Sequence, residues 1–339
     1  MVDYHTSSSI PYFSRCLDPE EWRGFSRKKG DTLLMAGFPC PSFSGAGNRL
    51  GTDDPRGQLL HNAIVLHNKL CPDWFLYENV ASMKKEHRDM ISELIGVEPI
   101  EINSNLVSAQ NRARLYWTNI PYHGPPQDRG VLLKHILEDE CVSGDLKTYF
   151  EKHRRQLVFS KDGLCHVGDA DLKGIESLKR VYHREGKAPT LTTMGGGHRE
   201  PKVYVEPMSW RKLTPLECER LQTLPDNYTN HVSNTQRYKM IGNGYTVDMI
   251  AHILSGIPDG VTIQRVYSLF DGCSMGQVAL HRAMYSFGKQ NLLAPDYKYF
   301  SSEIDKYAMK VTQANWNATV QMGDIKDLSL YKIIKERWY

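Results

Sequence analysis

The chain has 339 residues, a formal net charge of +3, and 40% hydrophobic, 24% charged and 10% aromatic residues. Those proportions exclude a disordered or fibrous chain, and the length suffices for one large domain or two modest ones with a real core. So slight a charge neither demands nor excludes a nucleic-acid partner, and any basic footprint must be local. No stretch approaches the roughly 18 apolar residues of a membrane span, and the polar start MVDYHTSSS lacks the apolar core of a signal peptide, so a cytoplasmic chain is expected. The seven cysteines, at positions 16, 40, 71, 141, 165, 218 and 273, form no C-x-x-C pair, which reads as reduced thiols and no metal.

Residues 1–30 are polar and read as loop or short helices. Residues 31–36 (DTLLMA) and 73–77 (DWFLY) are short apolar strand candidates, and residues 57–70 between them carry leucines and isoleucine at helical spacing. Strand, polar loop, helix and strand is the rhythm of an α/β fold with a parallel sheet. It continues with a helix over 88–95 and strands over 99–103 and 114–120. Residues 121–208 break it, mixing Gly, Pro and the basic run KHRR (152–155) with short strands near Leu157 and Val203. They read as a second, smaller, irregular domain between catalytic segments 1–120 and 209–339. Within 209–224 a helix begins at Thr214 with Pro215 next, the N-cap and proline pattern. A helix over 246–254, a break at SGIPDG and a buried strand over 264–270 follow. After DGCSMG come a helix over 277–285, a strand over 297–302 ending in Glu303, a helix to Trp316 and a strand over 319–322 ending in Gly323-Asp324.

The strand, glycine turn and helix around FDGCSMG are the ingredients of a nucleotide-type cofactor site, since small residues let a ligand approach the backbone where the helix starts. The run is not G-x-G-x-x-G, so an adenosine-bearing cofactor without a pyrophosphate fits better than a dinucleotide. Glu303 could accept from ribose hydroxyls, and Asp324 could reach an adenine amino group. Cys40 follows a strand in a loop that Pro39 and Pro41 stiffen, a way of holding a nucleophilic thiolate still. Glu78-Asn79 ends the neighbouring strand, so carboxylate and thiol would meet at one sheet edge. Gln110, Arg112 and Arg114 alternate and, if extended, share a face that would orient that carboxylate and bind a phosphate or base oxygen.

In order, GFPCPSFS, ENV, SAQNRAR, RKLTPLECERLQTLPDNY, IGNGYTVDMIAHIL and SLFDGCSMG resemble the motifs of the DNA (cytosine-5) methyltransferases over about residues 33–324, the run LVSAQNRARLYWTNIP being similar to bacterial and phage members and FDGCSMG to the animal de novo enzymes. The resemblance implies an S-adenosylmethionine-dependent methyltransferase fold: a Rossmann-like, mostly parallel sheet with helices on both faces, plus a small target-recognition domain. The order departs from the family's, because the cysteine motif comes first and the cofactor motif last. The chain therefore looks like a circular permutant, with SGIPDGVT joining the old ends.

The resemblance also implies roles. Cys40 would attack C6 of a flipped-out cytosine, Glu78 would contact N3 and the exocyclic amine, Arg112 and Arg114 would support Glu78, and Asn79 would hold the loop. The cofactor would lie against Phe270, Asp271, Gly272, Cys273, Ser274 and Gly276, with Glu303 at the ribose, Ile304, Asp324 and Ile325 around the adenine, and Pro39, Asn243 and Thr246 completing the pocket. DNA contacts would come from Ser42, Ser44, Gly45 and Asn48 in the glycine-containing loop, from Gln110, and from Arg154, Arg155, Arg184, His198 and Arg199. Lys152, His153, Arg180, His183 and Lys187 would add phosphate contacts.

Double-stranded DNA is then the expected partner of a monomer, with a cognate restriction endonuclease possible and neither membrane nor metal involved. A tRNA cytosine-5 methyltransferase of the same fold and a catalytically silent DNA-binding paralogue are the alternatives. The first normally carries a Cys-Phe-Thr segment absent here, and the second tends to lose the cysteine or glutamate, both present. A nicotinamide-dependent oxidoreductase would leave PCPSFS, ENV and QNRAR without a purpose.

Overall fold

A computed structural model describes residues 32–39, 58–138, 157–205 and 209–328. In chain order its strands and helices are β1 (Thr32–Ala36), α1 (Gln58–Leu70), β2 (Trp74–Val80), α2 (Lys85–Ile95), β3 (Ile100–Asn103), β4 (Ala113–Thr118), β5 (His166–Asp169), β6 (Arg180–Tyr182), β7 (Lys202–Val205), β8 (Ser209–Lys212), α3 (Pro215–Leu221), α4 (Asn234–Asn243), α5 (Val247–Leu254), β9 (Ile263–Leu269), α6 (Met275–Ser286), β10 (Leu293–Ser302), α7 (Lys306–Asn315) and β11 (Val320–Gln321).

TLLMA makes β1 a strand buried along its whole length, as the unbroken apolar run of a parallel strand covered on both faces requires. Its side chains alternate between two cores. Leu33 and Met35 pack with Val247, Ile250, Val278 and Val311 of α5, α6 and α7, whereas Leu34 and Ala36 pack with Leu60, Ile64, Ile91 and Ile95 of α1 and α2. Helices on both faces of one sheet follow from that alternation, as expected.

The sheet has seven strands in the order β11-β10-β9-β1-β2-β4-β3. β11, β10, β9, β1 and β2 run parallel, β4 is antiparallel to β2, and β3 is antiparallel to β4. Among these seven strands β4 alone thus breaks the parallel order that the strand and helix rhythm suggested. β2 also runs on through Glu78, Asn79 and Val80, because β4 pairs with it as far as Val80 and Arg114.

Residues 166–212 hold a separate four-stranded sheet, β5-β6-β7-β8. It includes Ser209–Lys212, so a boundary at 208 would cut through it. Leu157 lies outside any strand and is exposed, and Val203 is buried in β7. Helix α3 starts where expected: Thr214 accepts from the Glu217 N–H while Glu217 reaches back to the Thr214 N–H, with Pro215 at the first helical position. Helix α4, read from NTQRYKMIGN, has no apolar stripe and was not anticipated. Ala188, Leu191 and Met194 beside the small sheet share a core with Leu213, Cys218, Leu221 and Ile241 of the α3–α4 region. Among the described residues no helix is long and apolar enough to cross a membrane.

Candidate active site

Backbone pairing aligns Tyr77, Ala36, Leu269 and Ser302 across four adjacent parallel strands. The next residues along these strands, Glu78, Gly37, Phe270 and Glu303, therefore form a row at the carboxyl edge of the sheet, where open α/β folds bind ligands.

At one end of the row Glu78 is paired with Arg114, Nε to Oε1 at 2.9 Å, the two side chains being 13% and 11% exposed. The Asn79 amide donates to the carbonyl of Phe38 at 3.2 Å and its oxygen accepts from the Val80 N–H at 2.7 Å, tying the exit of β1 to β2. Cys40, two residues beyond Phe38, lies outside the described residues, as do Ser42, Ser44, Gly45, Asn48, Lys152, His153, Arg154 and Arg155.

The alternation of Gln110, Arg112 and Arg114 does not deliver three groups to one ligand face. β4 begins only at Ala113, and the first two side chains are buried in the interior. Arg112 donates to the carbonyls of Leu191 (3.0 Å) and Gly244 (2.9 Å). Gln110 donates to the carbonyl of Leu221 and the side chain of Gln222, both at 3.2 Å, and accepts from the Leu191 N–H at 2.8 Å. Gln110 is thus an interior strut, away from any surface that could meet DNA. Arg112 holds the Leu191 and Gly244 segments, and Arg114 pairs with Glu78.

At the other end, the loop after β9 turns sharply: Phe270, Gly272 and Ser274 have φ of 56°, 59° and 58°. Two of these are non-glycine residues, a strain typical of functional loops. The loop presents backbone, because its polar side chains turn inward. Buried Asp271 accepts from Tyr299 Oη at 2.7 Å and from the Ser274 hydroxyl, and burial pushes its carboxyl pKa up. Cys273 is buried, and desolvation followed by the nearby Asp271 raises its thiol pKa. The Asp271, Cys273 and Ser274 side chains therefore turn into the core, leaving the backbone of this loop outward. Gly276 also serves packing, since a Cβ there would come 2.8 Å from Met35 Cε and 3.2 Å from Tyr299 Oη.

The outward features nonetheless suit an adenosine group. A Cβ on Gly272 would meet none of the described residues within 4 Å. Glu303 accepts from Gly272 N–H at 2.8 Å and from Ile304 and Asp305 N–H at 2.7 Å each, fixing its carboxylate beside the loop. Ile304 is 73% exposed, an apolar surface for a base. Asp324 caps the turn after β11 by accepting from Lys326 N–H at 3.0 Å, with Ile325 buried behind it. Asn243 is exposed and Pro39 half-buried, whereas the buried Thr246 hydroxyl donates to Gln222 at 2.9 Å.

Around the small sheet, Arg184 and Arg199 are exposed and His198 half-buried on loops. Lys187 is not a surface cation: its ammonium donates to the carbonyls of Asn105, Ser108 and Val131 at 2.7, 3.1 and 2.8 Å. Two residues that sequence reasoning passed over complete the framework. Gln222 links Gln110 and Thr246 and donates to Ile241 and Gly244 carbonyls at 2.8 and 3.1 Å. Tyr245 lies against Gly37, between the two ends of the row, and its only sequence signal was its place inside GNGYT.

Residues 22–121 and 128–258 match the family model of the C-5 cytosine-specific DNA methylases. Similar proteins include the orphan methyltransferase M.SPBetaI of Bacillus phage SPbeta, 25% identical with 65% of this chain and 81% of the relative covered. They also include the type II methyltransferase M.HpaII of Haemophilus parainfluenzae, 29% identical with 71% and 75% covered, and M.HhaI of Haemophilus parahaemolyticus, 26% identical with 66% and 75% covered. Matched over well over half its length, the chain belongs to the C-5 cytosine-specific DNA methylase family and is a DNA cytosine-5 methyltransferase.

Proposed function

We propose that the row from Glu78 to Glu303 is the site where the target cytosine and S-adenosylmethionine meet, with Cys40 as nucleophile. The observation that carries this reading is the common carboxyl edge: the Glu78–Arg114 pair stands at one end, the Gly272–Glu303 contact at the other, and the β1 exit that leads to Cys40 between them. The Cys40 thiolate adds to C6 of a cytosine swung out of the duplex, an extrusion that costs about a few kcal/mol. The C5–C6 π pair moves to C5, while Glu78 holds N3 and the exocyclic amine and Arg114 holds Glu78. When bound, S-adenosylmethionine supplies the electrophilic methyl group. After C5 has been methylated its proton leaves, the sulfur–C6 bond breaks and the double bond re-forms, freeing Cys40. The loop backbone at Phe270–Gly272, Glu303, Ile304 and Asp324 would hold the cofactor; Asn79 keeps the nucleophile segment against β2.

The finer organisation is part of the same proposal. Residues 121–208 act as the target-recognition region, with Arg184, His198 and Arg199 toward DNA. The cofactor segment is circularly permuted: the family match ends at residue 258, and β9 follows it in sequence yet pairs beside β1 at the centre of the sheet.

The test is incubation with methyl-labelled S-adenosylmethionine and a mixed-sequence DNA duplex or tRNA. Label in C5 of DNA cytosine that disappears in Cys40→Ala is the expected result. Transfer that survives the substitution would remove Cys40 from the mechanism, and label only in tRNA would overturn the DNA assignment.

A further inference from the structure

Tyr245 occupies the middle of the row from the face covered by α5 and α6. A Cβ placed on Gly37 would come 2.8 Å from Tyr245 Oη and 3.1 Å from its Cε1, so only glycine at the exit of β1 leaves room for the phenol. Gly37 itself sits between Glu78 on β2 and Phe270 after β9, one step beyond the aligned Tyr77, Ala36 and Leu269. The preceding residue, Gly244, packs so tightly on Met275 that any side chain there would overlap it. Tyr245 is 9% exposed, and its hydroxyl has no hydrogen-bond partner among the described residues. Burial raises the phenol's pKa, the Glu78 and Asp271 carboxylates add to the rise, and the group remains a neutral hydroxyl.

A hydroxyl with no hydrogen bond to the described residues, packed on the Gly37 backbone between the carboxylate that addresses the base and the loop that addresses the cofactor, is placed to serve the gap between them. We propose that the Tyr245 hydroxyl faces the path along which the methyl group crosses to C5, and aligns the cytosine ring for that crossing by a hydrogen bond. This rests on the proposed placement of base and cofactor along the row. The hydroxyl neither gains nor loses a proton in the step. The carbon–sulfur bond breaks with its electron pair staying on sulfur as the C5–methyl bond forms, and the C5 proton leaves afterwards to water.

The experiment compares wild type with Tyr245→Phe in two reactions on duplex DNA. One is methyl transfer. The other is loss of tritium from [5-³H]cytosine without cofactor, in which the Cys40 adduct takes its C5 proton from water and only the base side is used. The expected result is a fall of about ten-fold in kcat for methyl transfer, the size of one neutral hydrogen bond, with tritium release, the KM for DNA and the melting temperature close to wild type. Unchanged methyl transfer would make the hydroxyl idle, and equal losses in both reactions would assign it to formation of the Cys40 adduct or to the fold, not to the methyl crossing. Either result overturns the inference. Gly37→Ala provides a second check, since its methyl group must displace the phenol oxygen. Its loss of methyl transfer should be smaller in the Tyr245→Phe background than in wild type, and simple additivity of the two losses would contradict a shared role. Wild type that transfers no methyl group at all would instead refute the proposed site as a whole.

Discussion

Glu78 and Arg114 form a charged pair that is nearly withdrawn from water, and such pairs are weak as a source of stability but costly to break on one side. Arg114→Met should therefore lower unfolding free energy by about 3 kcal/mol, read from urea midpoints, because the Glu78 carboxylate loses its counter-ion. Glu78→Gln keeps a hydrogen-bonding group in place, so the fold should survive while kcat drops by about 100-fold or more. A Glu78→Gln enzyme with wild-type kcat would take Glu78 out of the chemistry. The Glu78–Arg114 pairing was legible in the sequence; the carbonyl partners of Arg112 were not. Arg112 and Arg114 are two residues apart and chemically identical, yet one meets the carbonyls of Leu191 and Gly244 and the other a carboxylate. That difference is decided by segments about 80 and 130 positions further along the chain, which spacing within QNRAR does not report. The inward turn of Asp271, Cys273 and Ser274 was hidden for a related reason: a short loop motif names its side chains without saying which way three left-handed residues will rotate them.

The elements of the large sheet were legible because each buries an apolar run or stripe, from TLLMA in β1 to the α5 helix VDMIAHIL. Those that escaped are short or polar. Strands β5 to β8 have three or four residues each, too few for alternation to register, and α4 buries only Met240 and Ile241 of its apolar residues, beside Arg237 and Gly242. At Gly242 the last turn of α4 approaches the Thr192 carbonyl so closely that a Cβ would overlap it. Gly242→Ala should thus push α4 off the segment that Arg112 and Gln110 also hold, costing about 3 kcal/mol of stability and lowering the melting temperature by several degrees. If Gly242→Ala melts like wild type, that close approach does not constrain the fold. The antiparallel turn at β4 was equally illegible, since strand direction depends on how the chain returns and not on the strand's own residues.

For the molecule as a whole, acid sensitivity follows from a buried histidine under the sheet. His67 sits against Tyr77, ring nitrogen to hydroxyl at 3.0 Å, and burial lowers its pKa from 6.5 to about 4. Between these values the unfolded chain binds a proton that the folded chain refuses. This contribution is therefore complete above about pH 6.5 and lost as the pH falls toward 4, by about 3 kcal/mol in total. Urea midpoints measured from pH 4 to 7 should show that slope in wild type and a flatter one in His67→Gln; equal slopes would contradict it.

The aligned strand ends carry a different consequence. Neighbouring strands stand about 4.8 Å apart, so the three gaps from Glu78 to Glu303 fix a span of about 14 Å. Hydrogen bonds between backbones set that length, as graduations set a ruler, and no side chain can stretch it. A ruler reads the same whichever mark is inked first. Any rewiring of the connections that keeps the pairings leaves the distance between its two ends untouched, so this architecture can tolerate changes in strand order that would destroy a site assembled from loops.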